Sequence, residues 1–588
     1  MSRLLTPFVL LTVLASCASG AEESASAQLN ALFDDAWKFR LREDPLMATQ
    51  VGEHRYNARL PEVTLGAYER RGEAQRGFLR RLEKIDRNAL RGQERISYDV
   101  FGRLRRDAIA EYEFNTHLMP ITNRGGFHID FPQLAKDVPL RTVADYENYA
   151  ARLAAFKQYA GQHIELMREG IRRKYVLPAA VLRGYAESIE AQIVDDPTRS
   201  LLYVPFREFP ERFSDEDRGR LVAAGRRAIA ESVAPGYRDF LAFMRDEYVP
   251  AAPGTIGASS LPEGRAFYRH RVRRFTTLDI TPAEVHQIGV SEVARIREEM
   301  EQVKSRAKFS GDLNAFIAFL RTDEQFVPKS PEALMKEVAL VLKRMDGQLP
   351  TLFKTLPRAP YGIRRVPDYI APKTTTAYYS PPPGDGSRAG FYYVNVYNLK
   401  VRPLYEVQAL SLHEAVPGHH LQIALQQEMT GLPPFRRFAG ITAFIEGWGL
   451  YSERLGLEAG FYQDPYSDFG RLSFEMWRAC RLVVDTGLHY QGWSRQRAID
   501  YMAENTALSL HNITTEVDRY ISWPGQALAY KMGELRIRQL RRRAEERLGD
   551  RFDVRAFHDV VLGSGSVPLD VLEANVMAYI NDRAAAGP

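Results

Sequence analysis

The feature that most constrains this chain is a proline set between a His-Glu pair and a His-His pair. Residues 413–422 read HEAVPGHHLQ, which places Pro417 four residues after His413. A proline has no backbone N–H, and its ring clashes with the carbonyl four residues before it. A helix that carries His413 must therefore kink or end at this point, and Gly418 tolerates the dihedral angles that such a break requires.

Two histidines and a glutamate so close together indicate a zinc site. In the zincin pattern H-E-x-x-H, two imidazoles on one helix face bind one ion, while the glutamate reaches its water. On a regular helix His419 would lie roughly 240° around the axis from His413, whereas His420 would return to within about 20° but ~10 Å along it. A bulge that absorbs the two extra residues brings His419 to the usual position. We therefore predict His413 and His419 as metal ligands, with His420 as the alternative second ligand and a metal-free polar cluster as the competing interpretation.

The third metal ligand is predicted on the next helix. Glu446 lies in FIEGWGLYSERL, where Gly447 and Gly449 allow this helix to pack closely against the first. Glu453, seven residues later on the same helix face, is predicted to orient an imidazole from behind. The alternative assigns the metal to Glu453 and the supporting role to Glu446.

Glu414 is the predicted catalytic base. It lies about 100° around the helix from His413 and so can face the water instead of the metal. Zinc with three protein ligands keeps one position for water and lowers the pKa of that water, so a carboxylate can take its proton and pass it to the leaving amine. We expect one zinc ion per chain, while manganese or cobalt would fit similar ligands.

The N-terminus has the pattern of a bacterial lipoprotein signal peptide. A short basic start precedes an apolar stretch, and residues 14–17 read LASC, which matches the lipobox. We predict a signal peptide at 1–17, lipidation of Cys17 and a flexible tether at 18–28. Together with Ala18, this pattern indicates a protein anchored to the outer membrane of the bacterial envelope and facing the periplasm.

Composition excludes some other classes of protein. The chain has 79 basic and 74 acidic residues and a net charge of +5 without a block of like charge, which argues against nucleic acid as a partner. Apart from Cys17 the only cysteine is Cys480, in FEMWRACRLVV. No disulfide can therefore form within the mature chain, and Cys480 is interpreted as a core residue. The sequence indicates no particular oligomeric state.

Periodicity predicts helices over most of the chain. The predicted helical segments are 63–86, 91–113, 143–173, 216–248, 282–306, 331–347, 404–429, 438–459, 470–491, 494–510, 524–547 and 568–583. Residues 281–284 (TPAE) form a helix start, with a capping hydroxyl, a proline and then a glutamate. The Pro- and Gly-rich residues 251–264 divide an N-terminal helical region at 29–260 from a catalytic region at 261–588.

The exception to helix is a small sheet predicted just before the His-Glu helix. Residues 363–370 and 391–397 alternate with a period of two, so that Tyr393 and Asn395 share one face. In thermolysin-like folds the strand before this helix is an exposed edge, to which the substrate backbone adds as a further strand. Tyr393 and Asn395 are therefore predicted substrate-binding residues, and an ordinary buried hairpin is the alternative.

The motifs HEAVPGHHLQ and EGWGLYSE, with FTTLDITPAEVHQIGVSEVARIREEM upstream, resemble a bacterial family catalogued as domain of unknown function 885 (DUF885), which is placed among zincin-like metallopeptidases. The resemblance covers nearly the whole mature chain. The order of the motifs is also similar to that of helical gluzincins such as angiotensin-converting enzyme, thimet oligopeptidase and dipeptidyl-peptidase three. It implies a mainly α, large helical zincin-like (gluzincin) fold with a small β-sheet beside the active-site helix.

The resemblance also implies a function. Helical gluzincins admit short peptides to a deep cleft, so we expect a zinc-dependent metallopeptidase of the oligo-, di- or carboxypeptidase type. By analogy with angiotensin-converting enzyme, His489 and Tyr530 are candidate catalytic residues, and the alternative for each is a structural role. Arg478 and Arg481 are candidates for binding a substrate's C-terminal carboxylate, although ion pairs on a helix face are favoured. The competing functions are a zinc amidase acting on cell-wall peptide and a lipoprotein that binds peptides without hydrolysing them.

The substitution Cys17→Ser should prevent lipidation, because the thioether at this position is the predicted membrane attachment. We expect uncleaved precursor or a soluble form, which membrane fractionation with a labelled fatty acid would detect. Unchanged labelling and fractionation would instead indicate ordinary signal-peptide cleavage near Ala21.

Overall fold

Helices build most of this chain, and the sheet beside them is small, as the sequence predicts. The structure, a computed structural model, describes residues 24–368 and 370–585. The helices before the sheet are α1 (Ala25–Glu43), α2 (Pro45–Gln50), α3 (Leu65–Glu83), α4 (Gly92–Glu113), α5 (Phe127–Asp130), α6 (Val143–Ala154), α7 (Phe156–Arg173), α8 (Tyr185–Glu190), α9 (Asp215–Ala228), α10 (Ala234–Phe243), α11 (Gly264–Thr276), α12 (Pro282–Arg306), α13 (Leu313–Thr322) and α14 (Pro331–Leu352).

The sheet and the helices that carry the metal-site motifs follow α14. The strands are β1 (Tyr361–Arg365), β2 (Ala377–Ser380) and β3 (Gly390–Val394). The later helices are α15 (Val407–Glu414), α16 (His419–Glu428), α17 (Pro434–Arg437), α18 (Thr442–Leu455), α19 (Pro465–His489), α20 (Arg495–Asn505), α21 (Leu510–Ser522), α22 (Ala529–Leu548), α23 (Val554–Leu562) and α24 (Leu569–Ala585). Among the described residues, no helix is long and apolar enough to cross a membrane.

Local chemistry sets several of these helix ends. The helix start predicted at 281–284 is confirmed, because the Thr281 hydroxyl accepts a hydrogen bond from the N–H of Glu284, whose carboxylate bonds back to Thr281. The tether predicted at 18–28 is wrong at its C-terminal end, since Ser24 caps α1 and the helix begins at Ala25. Cys17 and the signal peptide lie outside the described residues.

Helix α11 was not among the predicted segments, and its packing explains why. Its sequence, GRAFYRHRVRRFT, interleaves five arginines with its apolar residues, which obscures the helical periodicity. His270 and Arg271 are nevertheless buried, because both side chains bond to the carboxylate of Glu111 on α4. A buried ion pair therefore shares the inward side of α11 with the apolar residues Phe267, Tyr268 and Val272.

The sheet has the strand order β1-β3-β2, with β1 parallel and β2 antiparallel to β3. Strand β3 is therefore central, and the prediction of an exposed edge at Tyr393 and Asn395 is wrong. Strand β2 is at one edge of the sheet and packs against α15. The sheet thus adjoins the His-Glu helix through β2 and not through the strand that precedes the helix in sequence.

One hydrophobic core joins the two regions that the sequence predicts on either side of residue 260. The core cluster extends from Leu29 in α1 to Ile580 in α24. Phe33 in α1, for example, packs against Phe435 in α17, with ring centroids 4.7 Å apart. Cys480, the predicted core cysteine, is fully buried in α19. The N-terminal helices therefore pack directly against the part of the chain that carries the metal-site motifs.

Helices α18 and α22 cross in direct backbone contact, and this crossing positions Glu446. A Cβ atom at Gly447 would lie 2.5 Å from the Cα atom of Gly533. A Cβ atom at Gly533 would overlap the carbonyl oxygen of Ala443. Glycine is thus required on both helices because no side chain fits between the two backbones.

The substitution Gly533→Ala should lower the free energy of unfolding by about 1–3 kcal/mol, because the added methyl group forces α22 away from α18. The shift of α18 should also weaken metal binding through Glu446. The control is Gly347→Ala, since Gly347 is an exposed residue of α14 with open space where a Cβ atom would lie. The measurement is the denaturant midpoint of each variant. Equal stability of Gly533→Ala and Gly347→Ala would contradict the requirement for glycine at position 533.

Candidate metal centre

The chain between the two histidine-bearing helices is a tight turn and not a bulge within one helix. Helix α15 ends at Glu414, the Val416–Pro417 peptide bond is cis, and α16 begins at His419. A Cβ atom at Gly418 would overlap the carbonyl oxygen of His413. The predicted continuous helix at 404–429 is therefore wrong, because the chain folds back onto its own preceding turn at Gly418 and only glycine allows that approach.

Helix α18 holds this turn in place. The indole Nε1 of Trp448 donates a 2.8 Å hydrogen bond to the carbonyl of Pro417. Gly449 lies against the His413 ring, and a Cβ atom there would be 2.7 Å from the ring's Cε1. Gly449 thus allows the close packing that the sequence predicts, whereas Gly447 faces α22. No role was predicted for Trp448, although it lies two residues after Glu446 on the same helix.

The three predicted metal ligands converge. The Nε2 atoms of His413 and His419 each lie 3.6 Å from Oε2 of Glu446. One donor atom from each of the three residues lies within 4.8 Å of the other two. The two imidazole rings are nearly perpendicular, at 83°, with centroids 4.6 Å apart.

The donor set fits a zinc ion. Four donors about 2.1 Å from a tetrahedral ion lie about 3.4 Å from one another, which is close to the observed 3.6 Å separations. Oε2 of Glu446 is shielded from solvent and accepts no hydrogen bond from the residues described. A buried, unpartnered carboxylate oxygen is costly unless a cation satisfies it. Two imidazoles and one carboxylate are also ligands that zinc prefers.

Glu453 lies behind His413, in the predicted supporting position. Its Oε1 atom accepts a 2.7 Å hydrogen bond from Nδ1 of His413, which leaves Nε2 of that ring facing Glu446. Arg478 lies 3.4 Å from the same Oε1 atom. A carboxylate that holds the far nitrogen of a ligating histidine fixes both its tautomer and its orientation. Arg478 is therefore used in a buried ion pair.

Burial and charge set the protonation of this cluster. Burial lowers the pKa of His413, but the neighbouring carboxylates of Glu446 and Glu453 outweigh that effect and raise the pKa to about 10. Burial raises the pKa of Glu446, yet His413 and His419 hold it down at about 2. Burial lowers the pKa of His419 to about 4. Without an ion, a proton therefore stays on His413 between two carboxylates, and a bound cation would displace it.

Glu414, the predicted base, is the last residue of α15 and is partly exposed. Burial raises its pKa to about 7, against the opposing effect of His413, and the negative charge of Glu446 adds to the rise. A carboxyl group with a pKa near neutrality can both accept and return a proton.

His420, the alternative second ligand, points away from the cluster. Its Nε2 atom donates to the carbonyl of Ala359 at 3.1 Å, and its Nδ1 atom accepts from the Tyr379 hydroxyl at 2.8 Å. Tyr379 belongs to β2, so His420 joins α16 to the sheet. Both ring nitrogens are in use, which leaves His419 as the second donor beside His413.

The two candidates C-terminal to the ligands have different surroundings. Tyr530 lies beside the cluster, with its ring nearly parallel to that of His413 and the centroids 6.5 Å apart. His489 is fully buried and accepts from the N–H of Ala258 while donating to the carbonyl of Tyr520, both at 2.9 Å. His489 therefore has no free nitrogen for a substrate, and the structure gives it a structural role.

Tyr393 and Asn395 are also held by protein contacts. The amide of Asn395 donates to the carbonyls of three residues between 371 and 375 and accepts from the N–H of Tyr397. Tyr393 stacks on Tyr378, with centroids 4.8 Å apart. The prediction that this pair binds substrate is corrected, because Asn395 is fully buried and fixes the turn before β2.

A large cavity lies elsewhere in the molecule. It has a volume of about 840 Å³ and is enclosed mainly by helices α1–α7, with Ala439 and Gly440 just before α18. None of the three donor residues lines it.

Fold and site together define a large, mainly helical protein with a candidate metal centre between α15, α16 and α18. The chain belongs to the family described as "Bacterial protein of unknown function (DUF885)", which matches residues 45–576, and the resemblance of the sequence to that family is thereby confirmed. No protein with a curated description matches the chain.

Two solved structures are similar to this chain. One is "the putative lipoprotein from Colwellia psychrerythraea", with a TM-score of 0.91 and 28% identity over 95% of this chain and 100% of that chain. The other is "a putative lipoprotein of unknown function from Shewanella oneidensis", with a TM-score of 0.66 and 17% identity over 95% of this chain and 100% of that chain. The second likeness shows the fold alone. Both agree with a mainly α protein.

Replacing His413, His419 or Glu446 by Ala should abolish tight zinc binding, because two remaining donors form an inadequate site. The matched control is His420→Ala, which should keep its zinc because both nitrogens of His420 bond to protein groups. Calorimetric titration measures the zinc affinity of the purified variants, and metal analysis measures their zinc content. Loss of zinc from His420→Ala, with zinc retained by His419→Ala, would reverse the assignment.

Proposed function

We propose that this protein is a zinc-dependent metallopeptidase that hydrolyses short peptides. The observation that carries the proposal is the convergence of His413, His419 and Glu446 on one point, with Glu414 adjacent to His413 in the chain. Glu453 supports it, since a buried carboxylate that orients His413 is a feature of metal sites.

Zinc bound to these three residues would polarise a substrate carbonyl and lower the pKa of a water molecule. The residues of the chain supply the rest of the chemistry. The carboxylate of Glu414 accepts a proton from the attacking water and passes it to the nitrogen of the leaving amine. Glu453 keeps Nδ1 of His413 protonated, so that Nε2 offers its lone pair. Tyr530, beside His413, is the candidate for contacting the substrate.

We also propose that the protein acts in the bacterial envelope as a lipid-anchored protein. The lipobox at 14–17 supports the anchor, and the similar protein from Colwellia psychrerythraea is itself described as a "putative lipoprotein". Ala18 favours the outer membrane and a domain facing the periplasm. Peptides that enter or form in the envelope would then be the substrates.

The substitution Glu414→Gln keeps the size of the side chain and leaves the three donors in place, but it removes the base. The variant should retain zinc and bind peptides, while turnover falls by a factor on the order of 10² to 10⁴. The control is Glu504→Gln, because Glu504 is an exposed residue of α20. Turnover of a broad peptide library by metal-replete proteins is the measurement.

The outcomes separate the competing functions. Equal turnover by wild type and Glu414→Gln would remove Glu414 from the mechanism. Hydrolysis of cell-wall peptide alone would favour a zinc amidase. Peptide binding without hydrolysis by wild type would favour a binding lipoprotein.

A further inference from the structure

A cluster of three arginines around one glutamate lies beside the candidate metal centre. Nη2 of Arg481 and Nη1 of Arg519 lie 3.0 and 3.3 Å from Oε2 of Glu516. Nη1 of Arg124 lies 3.3 Å from Oε1 of the same carboxylate. We name these four residues the arginine cluster. Three positive charges share one negative charge, so the cluster carries an excess of positive charge.

Burial makes this excess costly. Glu516 is fully buried and Arg481 is 2% exposed. Nη1 of Arg481 is shielded from solvent and has no hydrogen-bond partner within the described part of the chain. Charges in such surroundings are normally paired, and removing one partner from a buried pair is strongly destabilising. The shortage of negative charge indicates that an anion completes the cluster.

The side of the cluster that an anion can reach is formed by Arg124 and Arg519. Their side chains are 25% and 11% exposed, whereas those of Arg481 and Glu516 are buried beneath them. Arg124 lies in the loop between α4 and α5, and Arg519 lies in α21. An anion bound here would therefore contact both the N-terminal helices and the helices C-terminal to the metal ligands.

Tyr530 links the arginine cluster to the metal centre. Nη2 of Arg519 donates a 3.3 Å hydrogen bond to the Tyr530 hydroxyl, and the guanidinium carbon of Arg481 lies 4.3 Å from the centre of the Tyr530 ring. The same ring also lies beside His413, with centroids 6.5 Å apart. One aromatic ring thus separates a metal-ligand histidine from the guanidinium groups.

We propose that the arginine cluster binds the C-terminal carboxylate of the peptide substrate, so that the protein cleaves peptides from their C-terminal end. The inference rests on the proposed peptidase function and specifies its substrate. A guanidinium group binds a carboxylate through two parallel hydrogen bonds, which suits Arg124 and Arg519. The steps of 6.5 Å from the His413 ring to the Tyr530 ring and 4.3 Å from that ring to the guanidinium carbon of Arg481 bound the separation. An extended peptide spans about 3.3–3.6 Å per residue, so a carboxylate held across Tyr530 lies within about three residues of the cleaved bond. The products are then a free amino acid or a very short peptide.

The wild-type protein provides the first test. Zinc-loaded protein is given pairs of peptides that differ only in a free or an amidated C-terminus, and a third peptide that is amidated but has aspartate as its last residue. Hydrogen bonds to charged groups contribute about 1.5–3 kcal/mol, so kcat/KM should favour the free acid by about 10- to 100-fold. Mass spectrometry should show products released from the C-terminus.

Each of the other outcomes would contradict one part of the proposal. Equal hydrolysis of acid and amide would overturn the role of the arginine cluster and leave the peptidase proposal standing. Rapid hydrolysis of the amidated aspartyl peptide, with no preference for free acids, would overturn the C-terminal assignment because a side-chain carboxylate would be the ligand. Hydrolysis of no peptide would overturn the proposed function and, with it, this inference.

Variants of the arginine cluster test which side chains cause the preference for a free C-terminal carboxylate. Arg519→Gln and Arg124→Gln should each bring the acid-to-amide ratio of kcat/KM towards 1, chiefly through KM, and Arg519→Lys should restore part of it. Because the two substrates are compared in one protein sample, a lower folded fraction does not change the ratio. The control is Arg495→Gln. Arg495 forms an ion pair with Asp518, which lies on the same helix as Arg519, so this variant removes an ion pair of that helix without changing the arginine cluster. A wild-type ratio in both Arg519→Gln and Arg124→Gln would overturn the proposal.

Discussion

The candidate metal centre depends on one backbone constraint, the turn between α15 and α16. Pro417 cannot continue α15, and Gly418 lets the chain return against the carbonyl of His413. This turn brings two imidazoles six positions apart to within 4.6 Å of each other. Trp448 then ties the turn to α18, the helix that supplies Glu446. The turn and the third donor are therefore held by the same helix.

Close helix packing extends that constraint through the molecule. Gly449 lets α18 lie against the ring of His413, and Gly447 lets the opposite side of α18 lie against Gly533 of α22. The backbone of α18 is thus in close contact with His413 on one side and with α22 on the other. These contacts, and not a flexible side chain, determine the position of Glu446. The core that surrounds these helices continues into the N-terminal region, which therefore belongs to the scaffold of the site.

Buried charges organise the neighbourhood of the centre. Glu453 lies between His413 and Arg478, which balances the negative charge behind the metal ligands. On the other side of Tyr530 three arginines surround the single carboxylate of Glu516. Under the proposed function, a peptide whose cleaved carbonyl meets the candidate metal ligands and whose carboxylate meets the arginines would be oriented by this difference in charge.

The sequence by itself determined the properties that depend on near neighbours. The cap at Thr281 sets the start of α12, and the break at Pro417 and the short list of candidate donors, with His420 and Glu453 as alternatives, follow from motif spacing. Only the tertiary structure decided the rest. Strand order excluded Tyr393 from an edge, and two distant backbone groups occupied the nitrogens of His489. The contacts among Arg124, Arg481 and Arg519 join residues far apart in the chain, so spacing along the sequence contains no signal for them. The physical reason is that ring orientation, edge exposure and charge balance are set by long-range packing, whereas helix ends and the candidate donors are set within a few residues.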